Sequence, residues 1–242
     1  MLLRRLITLI KRNRAAAGLG VKFGRSASFS LPDKIMLGGK MYSLALPEEN
    51  GVKVAFIDLL LDDCYGCRDV RAPVKTVLDV GANVGLFGLA ARAAFPNAII
   101  HCYEPNPNLG AYLESQSVPG RYEYFLEAVG LERGRVSLEY NVDSVQTRST
   151  PNVYGEVNQA AFRDVISRLG GHVDMLKLDC EGAEWDLFRD AESWKNISRV
   201  SMEYHLQGQH TIAEVIGAIE SLGLRINRHV PSDGFGLILA SR

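Results

Sequence analysis

Val77-Leu78-Asp79-Val80-Gly81-Ala82-Asn83-Val84-Gly85 is the stretch on which the reading of this chain turns. A short apolar run ends at a glycine loop and continues into an alanine-rich segment over 84–94. Strand, glycine turn and helix, in that order, open a βαβ unit. The alternation repeats downstream. It predicts strands near 76–80, 98–104, 123–129, 173–179, 198–204, 223–229 and 234–240, with helices near 84–94, 107–116, 156–169, 183–192 and 211–222. Pro231-Ser-Asp-Gly234 joins the last two strands and is too short for a parallel crossover, so that pair is expected to run antiparallel. The expected fold class is α/β: a mostly parallel seven-stranded sheet with a C-terminal antiparallel hairpin.

Upstream, Lys34 to Leu46 reads as two short strands turning at Gly38-Gly39, a dipeptide free to take the positive φ angles of a tight hairpin. Val52 to Asp62 has helical apolar spacing. Met1 to Arg14 alternates Leu and Ile with Arg and Lys, as an amphipathic helix does, and is expected either to pack on the body or to lie on an anionic membrane surface, packing being the simpler outcome. Residues 1–70 form an N-terminal extension and residues 71–242 the principal domain. Within that domain Arg135 to Tyr140 adds a strand, and the polar excursion Asn141 to Gly155 is expected to shape a binding site.

The chain has 242 residues, 47% hydrophobic and 23% charged, which excludes disordered and collagen-like classes and supplies a sizeable core. Its longest uncharged run, Val80 to Ala91, is 12 residues, short of the roughly 18 that a membrane-spanning helix needs. The net charge of −1 hides an asymmetry: residues 1–32 carry seven bases (Arg4, Arg5, Lys11, Arg12, Arg14, Lys22, Arg25) and no acid, leaving 20 bases against 28 acids elsewhere. An acidic body argues against nucleic acid as the partner. Four cysteines (Cys64, Cys67, Cys102, Cys180) are too few for a disulfide framework, so a reducing cytoplasm is the expected compartment. Cys64-Tyr-Gly-Cys67 is a lone pair and is expected to be idle rather than a zinc or redox centre.

Ligands of open α/β sheets bind beyond the carboxyl ends of the strands, so the residues that end strands carry the chemistry. Gly81 would let the backbone turn close to a ligand, and Gly85 would start the next helix tight against the sheet. Glu104, ending the second strand 25 residues after Asp79, would accept hydrogen bonds from a ribose diol. Asn83 stands where a dinucleotide loop wants a second glycine, and Asp79 would repel phosphate yet suit an ammonium or a sulfonium. Together these features favour S-adenosylmethionine, with Asp79, Gly81, Ala82, Asn83, Gly85 and Glu104 as its candidate binding residues. Asp174-Met-Leu-Lys177-Leu-Asp179-Cys-Glu181-Gly-Ala-Glu184 and Met202-Glu203-Tyr204-His205 then bring Asp179, Glu181, Glu184 and Glu203, with His205, to neighbouring strand ends. Lys177 is expected to neutralise an acid, Glu181 and Glu184 either to cap a helix or to serve the site, and Trp185 and Trp194 to pack, with a wall of the acceptor pocket the alternative for Trp185. His101, His172, His210 and His229 have no such placement.

Val77-Leu-Asp-Val-Gly-Ala-Asn-Val-Gly85, Tyr103-Glu-Pro-Asn106, Leu176-Lys-Leu-Asp-Cys-Glu-Gly-Ala-Glu184 and Glu203-Tyr-His205, in that order, resemble the FkbM family of S-adenosylmethionine-dependent methyltransferases. The resemblance covers residues 75–205 by motif. It implies a Rossmann-like class I methyltransferase fold, a domain over 71–242 that binds S-adenosylmethionine, and methyl transfer to oxygen, often on sugars or secondary metabolites. Cys180 departs from it, standing where a β-branched residue is common.

Methyl transfer needs the acceptor oxygen held in line and its proton removed. Asp179 or His205 is expected as base, with Glu181 and Glu203 orienting; these four are the candidate catalytic residues. A divalent cation held by the same side chains is an alternative that is not favoured. No Asn/Asp-Pro-Pro-aromatic run follows the fourth strand, so oxygen is the expected acceptor rather than nitrogen, on a small molecule or glycan. A nicotinamide-dependent oxidoreductase and a non-catalytic binding module are the competing readings.

Overall fold

The computed structural model describes residues 2–141, 143–207 and 210–242. Its elements in chain order are α1 (Leu2–Gly18), β1 (Lys34–Leu37), β2 (Lys40–Ser43), α2 (Asn50–Phe56), β3 (Thr76–Val80), α3 (Leu86–Ala94), β4 (Ile99–Tyr103), α4 (Gly110–Gly120), β5 (Glu123–Phe125), β6 (Ala128–Gly130), β7 (Gly134–Glu139), β8 (Arg148–Pro151) and β9 (Val157–Ala161). They continue with α5 (Phe162–Arg168), β10 (Met175–Leu178), α6 (Glu184–Leu187), α7 (Ala191–Trp194), β11 (Arg199–His205), α8 (Ile212–Ser221), β12 (Arg225–Pro231) and β13 (Phe235–Ser241).

The central sheet has seven strands in the order β12-β13-β11-β10-β3-β4-β5. β11, β10, β3, β4 and β5 run parallel, and β13 pairs antiparallel with both β11 and β12, as the short Pro231–Gly234 turn requires. This is the expected α/β class. The chain leaves β3 toward β4 and β5 and returns on the other side at β10, so the order reverses between β3 and β10. That reversal opens a crevice above their carboxyl ends. The register there sets Asp79 directly beside Lys177.

Three expectations are corrected. Residues 156–169 are not one helix: Val157–Ala161 is β9, paired with β6 and β7 in a second, four-stranded sheet, and the helix begins at Phe162. The strand expected over 123–129 divides at Leu126-Glu127 into β5 and β6, which belong to different sheets. The helix expected over 183–192 is two short ones, because the Asp190 side chain accepts the Ser193 N–H and starts α7 afresh. The excursion Asn141 to Gly155 contains β8, paired with β7.

The extension packs against α3. Phe23, Phe29 and Phe56 form an aromatic row with 5.4 Å between neighbouring centroids, and the cluster they build continues into Leu86, Leu89 and Ala90 of α3. Arg12 of α1 grips Asp62 through Nε at 2.8 and 3.1 Å. Buried Arg92 of α3 donates to the carbonyls of Phe95, Pro96, Ala98, Gly120 and Arg121, tying two loops to one side chain. Among the described residues no helix is long and apolar enough to cross a membrane.

Candidate active site

A cleft of about 730 Å³ opens over the carboxyl ends of β3, β4, β10 and β11. It is large enough for a drug-sized cofactor together with part of a second molecule. Its lining is acid-rich, with Asp58, Glu104, Glu127, Asp143, Asp179, Glu181 and Glu203 against Arg148, Lys177 and His205. Such a wall favours a cationic occupant over a phosphorylated one.

Four of the six expected cofactor residues line it: Gly81, Ala82, Asn83 and Glu104. The Glu104 carboxylate accepts the Asn83 N–H at 2.8 Å on one oxygen and the Asn106 N–H at 2.9 Å on the other, which fixes the loop after β3 against the end of β4. Each oxygen keeps a second lone pair for a hydroxyl donor. Burial pushes its carboxyl up to about 7, only partly offset by those two bonds. Beside it Asn83 takes a left-handed φ of 48°, and its buried Oδ1 has no hydrogen-bond partner among the described residues.

Asp79 and Gly85 do not face the cleft. Asp79 is fully buried, and its carboxylate meets the Lys177 ammonium at 3.3 Å as an ion pair. The expectation that it greets a cationic ligand is therefore corrected: the cation it serves is a side chain of this chain. Burial alone would lower Lys177, but Asp79 and then Asp179, at 3.6 Å, raise it above its ordinary value, and the ammonium also donates to the Gly81 carbonyl. Gly81 has φ 80°, and a Cβ there would lie 1.7 Å from the Asp179 carbonyl oxygen. Its missing side chain lets two strand ends meet as well as lining the cleft. At Gly85, φ 82°, a Cβ would strike Tyr122 Oη at 2.0 Å.

The four expected catalytic residues all reach the cleft. His205 stands among three carboxylates: Glu184 Oε1 at 3.3 Å from Nδ1, and Glu203 Oε1 at 3.5 Å and Glu181 Oε2 at 3.7 Å from Nε2. Burial would lower the imidazole, but hydrogen bonds to Glu184 and Glu203 and the charge of Glu181 carry it to about 10. It is an imidazolium at neutral pH and cannot accept a proton. Glu184, fully buried, also accepts the His205 and Gly182 N–H groups, so it anchors His205 to the start of α6. Glu181, with φ 55°, is pushed by burial to about 7 despite His205. Asp179 accepts the Tyr65 hydroxyl at 3.1 Å. The ligand atoms of Asp179, Glu181 and His205 lie within 4.8 Å of one another, close enough to share a cation if His205 gave up its proton.

Trp185 is not a pocket wall; its indole donates to the His205 carbonyl at 2.7 Å and its ring stacks on His210. Trp194 packs as expected, fully buried. Cys64 is pushed by burial to about 12 and Cys67 also upward, so neither is a thiolate at neutral pH. Sequence reasoning missed Tyr65, Asp58, Glu127 and Arg148. Tyr65 lay inside the Cys-x-x-Cys that drew attention for its thiols, and Arg148 lies 4.0 Å from Glu181 on the excursion that was expected to shape a site. That excursion is latched: Asn83 donates to Ser144 Oγ at 3.2 Å, and the Ser144 N–H donates to Glu49 at 2.7 Å.

A profile of the family described as "Methyltransferase FkbM domain" matches residues 79–226. The chain is 24% identical over 237 residues to 31-O-demethyl-FK506 methyltransferase FkbM of Streptomyces tacrolimicus, covering 76% of this chain and 89% of that protein. It is 27% identical over 212 residues to Methyltransferase 1 of Beauveria bassiana, with 72% and 82% covered. Among solved structures it is similar to the fibrillarin pre-rRNA processing protein of Methanococcus jannaschii, with a TM-score of 0.47 and 13% identity over 91% of this chain and 85% of that one.

Proposed function

The chain belongs to the FkbM methyltransferase domain family, and from that premise we propose that it moves the methyl group of S-adenosylmethionine to a hydroxyl oxygen of a sugar, glycan or secondary metabolite. One observation carries the reading: a single acid-rich cleft joins the Glu104 loop to the cluster of Glu181, Glu203 and His205. A relative whose name describes a demethylated oxygen as its substrate supports oxygen as the acceptor. Family membership in turn disfavours the nicotinamide alternative.

The residues present fit the cofactor. Glu104 would hold the ribose hydroxyls on its free lone pairs, the Gly81–Asn83 backbone would run beneath, and the orphaned Asn83 Oδ1 offers an acceptor to an N–H or O–H donor. When bound, S-adenosylmethionine supplies an electrophilic methyl on a positively charged sulfur. Glu181 takes the proton from the acceptor hydroxyl; a carboxyl near 7 is half ionised at neutral pH and suited to that exchange. Glu181 thus takes the role expected of Asp179 or His205, in place of the orienting one expected for it. His205, held by Glu184 and Glu203, keeps its charge beside Glu181, and Asp179, fixed by Tyr65 and Lys177, orients the incoming hydroxyl.

Calorimetry with S-adenosylmethionine and with NAD tests the cofactor, followed by labelled methyl transfer to a panel of hydroxyl acceptors. Binding of the first alone and label on oxygen are expected; binding of NAD alone overturns the reading. The proximity of Asp179, Glu181 and His205 keeps a cation-assisted version in view, and unchanged turnover in excess chelator removes it.

A further inference from the structure

We propose that α1 docks this protein on an anionic membrane surface through Leu6, Ile7 and Ile10. The helix has two apolar faces. Leu9, Arg12 and Ala16 turn inward: Ala16 is buried, Leu9 packs against the extension's core, and Arg12 is locked to Asp62. Leu6, Ile7 and Ile10 are 53%, 45% and 51% exposed and have nothing over them among the described residues. At about 100° per residue the two faces are centred roughly 130° apart, so packing the first cannot bury the second.

Isolated exposed leucines are ordinary on protein surfaces, but three large aliphatic side chains on adjoining turns form a patch. The charges around it choose the occupant. Arg5 precedes it, Lys11 and Arg14 follow it, all exposed, and the first acid of the sequence is Asp33. Aliphatic residues bordered by bases with no acid among them suit an anionic headgroup layer, where the apolar side chains enter the acyl boundary and the bases meet phosphate. A second copy of this chain is the rival occupant, and the like charges of exposed Arg5, Lys11 and Arg14 on each of two facing helices oppose it. The packed face of α1 bears on the turn Ile57–Leu61, whose Asp58 and Leu59 line the cleft, so the docked helix is joined to the site by one turn of chain. The inference does not depend on the methyl-transfer reading.

Cosedimentation of the full chain with vesicles of equal parts phosphatidylcholine and phosphatidylglycerol, and with phosphatidylcholine alone, tests it. Binding to the first only is expected, weakening as salt is added. Two double variants, L6D with I10D and K11E with R14E, leave the packed face untouched, and circular dichroism melting verifies that each folds. Each is expected to lower the vesicle-bound fraction constant at least about tenfold. Failure to bind, equal binding to neutral vesicles, or binding unchanged in both folded variants overturns the proposal. So does a dimer in sedimentation velocity that L6D with I10D dissolves while vesicles capture nothing, because the face is then covered by its own copy.

Discussion

Replacing Glu181 with Gln keeps the shape of the residue and removes its proton chemistry. Turnover is expected to fall by about 10² or more, the range that positioned general bases contribute, while cofactor affinity by calorimetry stays within about twofold. The native enzyme should gain activity as pH rises through about 7, where Glu181 ionises, and lose it as His205 deprotonates near 10; E181Q should lose the lower limb. Glu104→Ala has two effects at once. It leaves the Asn83 and Asn106 N–H groups unsatisfied, at about 1–3 kcal/mol of stability, and should weaken S-adenosylmethionine binding about tenfold or more, both readable by melting and calorimetry below the transition. The identity of these acids was legible in the sequence because strand ends of such sheets face one crevice. Their states were not. That His205 is charged depends on Glu184, 21 residues away, and that Asp79 is occupied by Lys177 depends on a register between β3 and β10.

At the scale of elements, Arg92 shows what one side chain on α3 does for its surroundings. Arg92→Met preserves much of the buried stem but abandons five carbonyls, and is expected to lower unfolding free energy by at least about 3 kcal/mol in a denaturant titration. The strands and helices of the central sheet were readable from hydropathic alternation and from turn residues such as Gly81, Gly85 and Gly234. The second sheet was not readable. Val157-Asn-Gln-Ala-Ala161 has helix-tolerant residues and becomes β9 only because β6, some 30 residues earlier, and β7 offer it unpaired edges. Local propensity yields there to a long-range partner.

For the molecule as a whole, the extension and α3 of the principal domain share one hydrophobic cluster. Phe56→Ala is accordingly expected to cost about 3–5 kcal/mol and to lower a single cooperative transition by circular dichroism, not to detach the extension alone. Acidity acts on the entire fold too. Glu104 and Glu181 are raised to about 7 and His205 to about 10, so all three hold protons more tightly folded than unfolded. The stability they lend is full below the ordinary carboxyl range for the glutamates and below about 6.5 for His205; it fades through about 7 and then about 10. Melting temperature should decline steadily from pH 5 to pH 10 by a few degrees or more, and His205→Gln should flatten the alkaline half of that curve. The placement of the extension against the cleft was invisible in the chain itself, since nothing in Cys64-Tyr-Gly-Cys67 announces that its tyrosine reaches Asp179.

The latch of Ser144 onto Asn83 and Glu49 has a consequence for how such a chain can change. Among the described residues, the stretch from Asn141 to Ser149 touches the Glu104 loop through a single side-chain bond, shares none of the contacts of Glu104 or Lys177, and approaches Glu181 only through Arg148 at 4.0 Å. A lineage that keeps that one positive charge can therefore exchange the hairpin for another, trading one clientele for the next, while the machinery beneath it goes on unaltered.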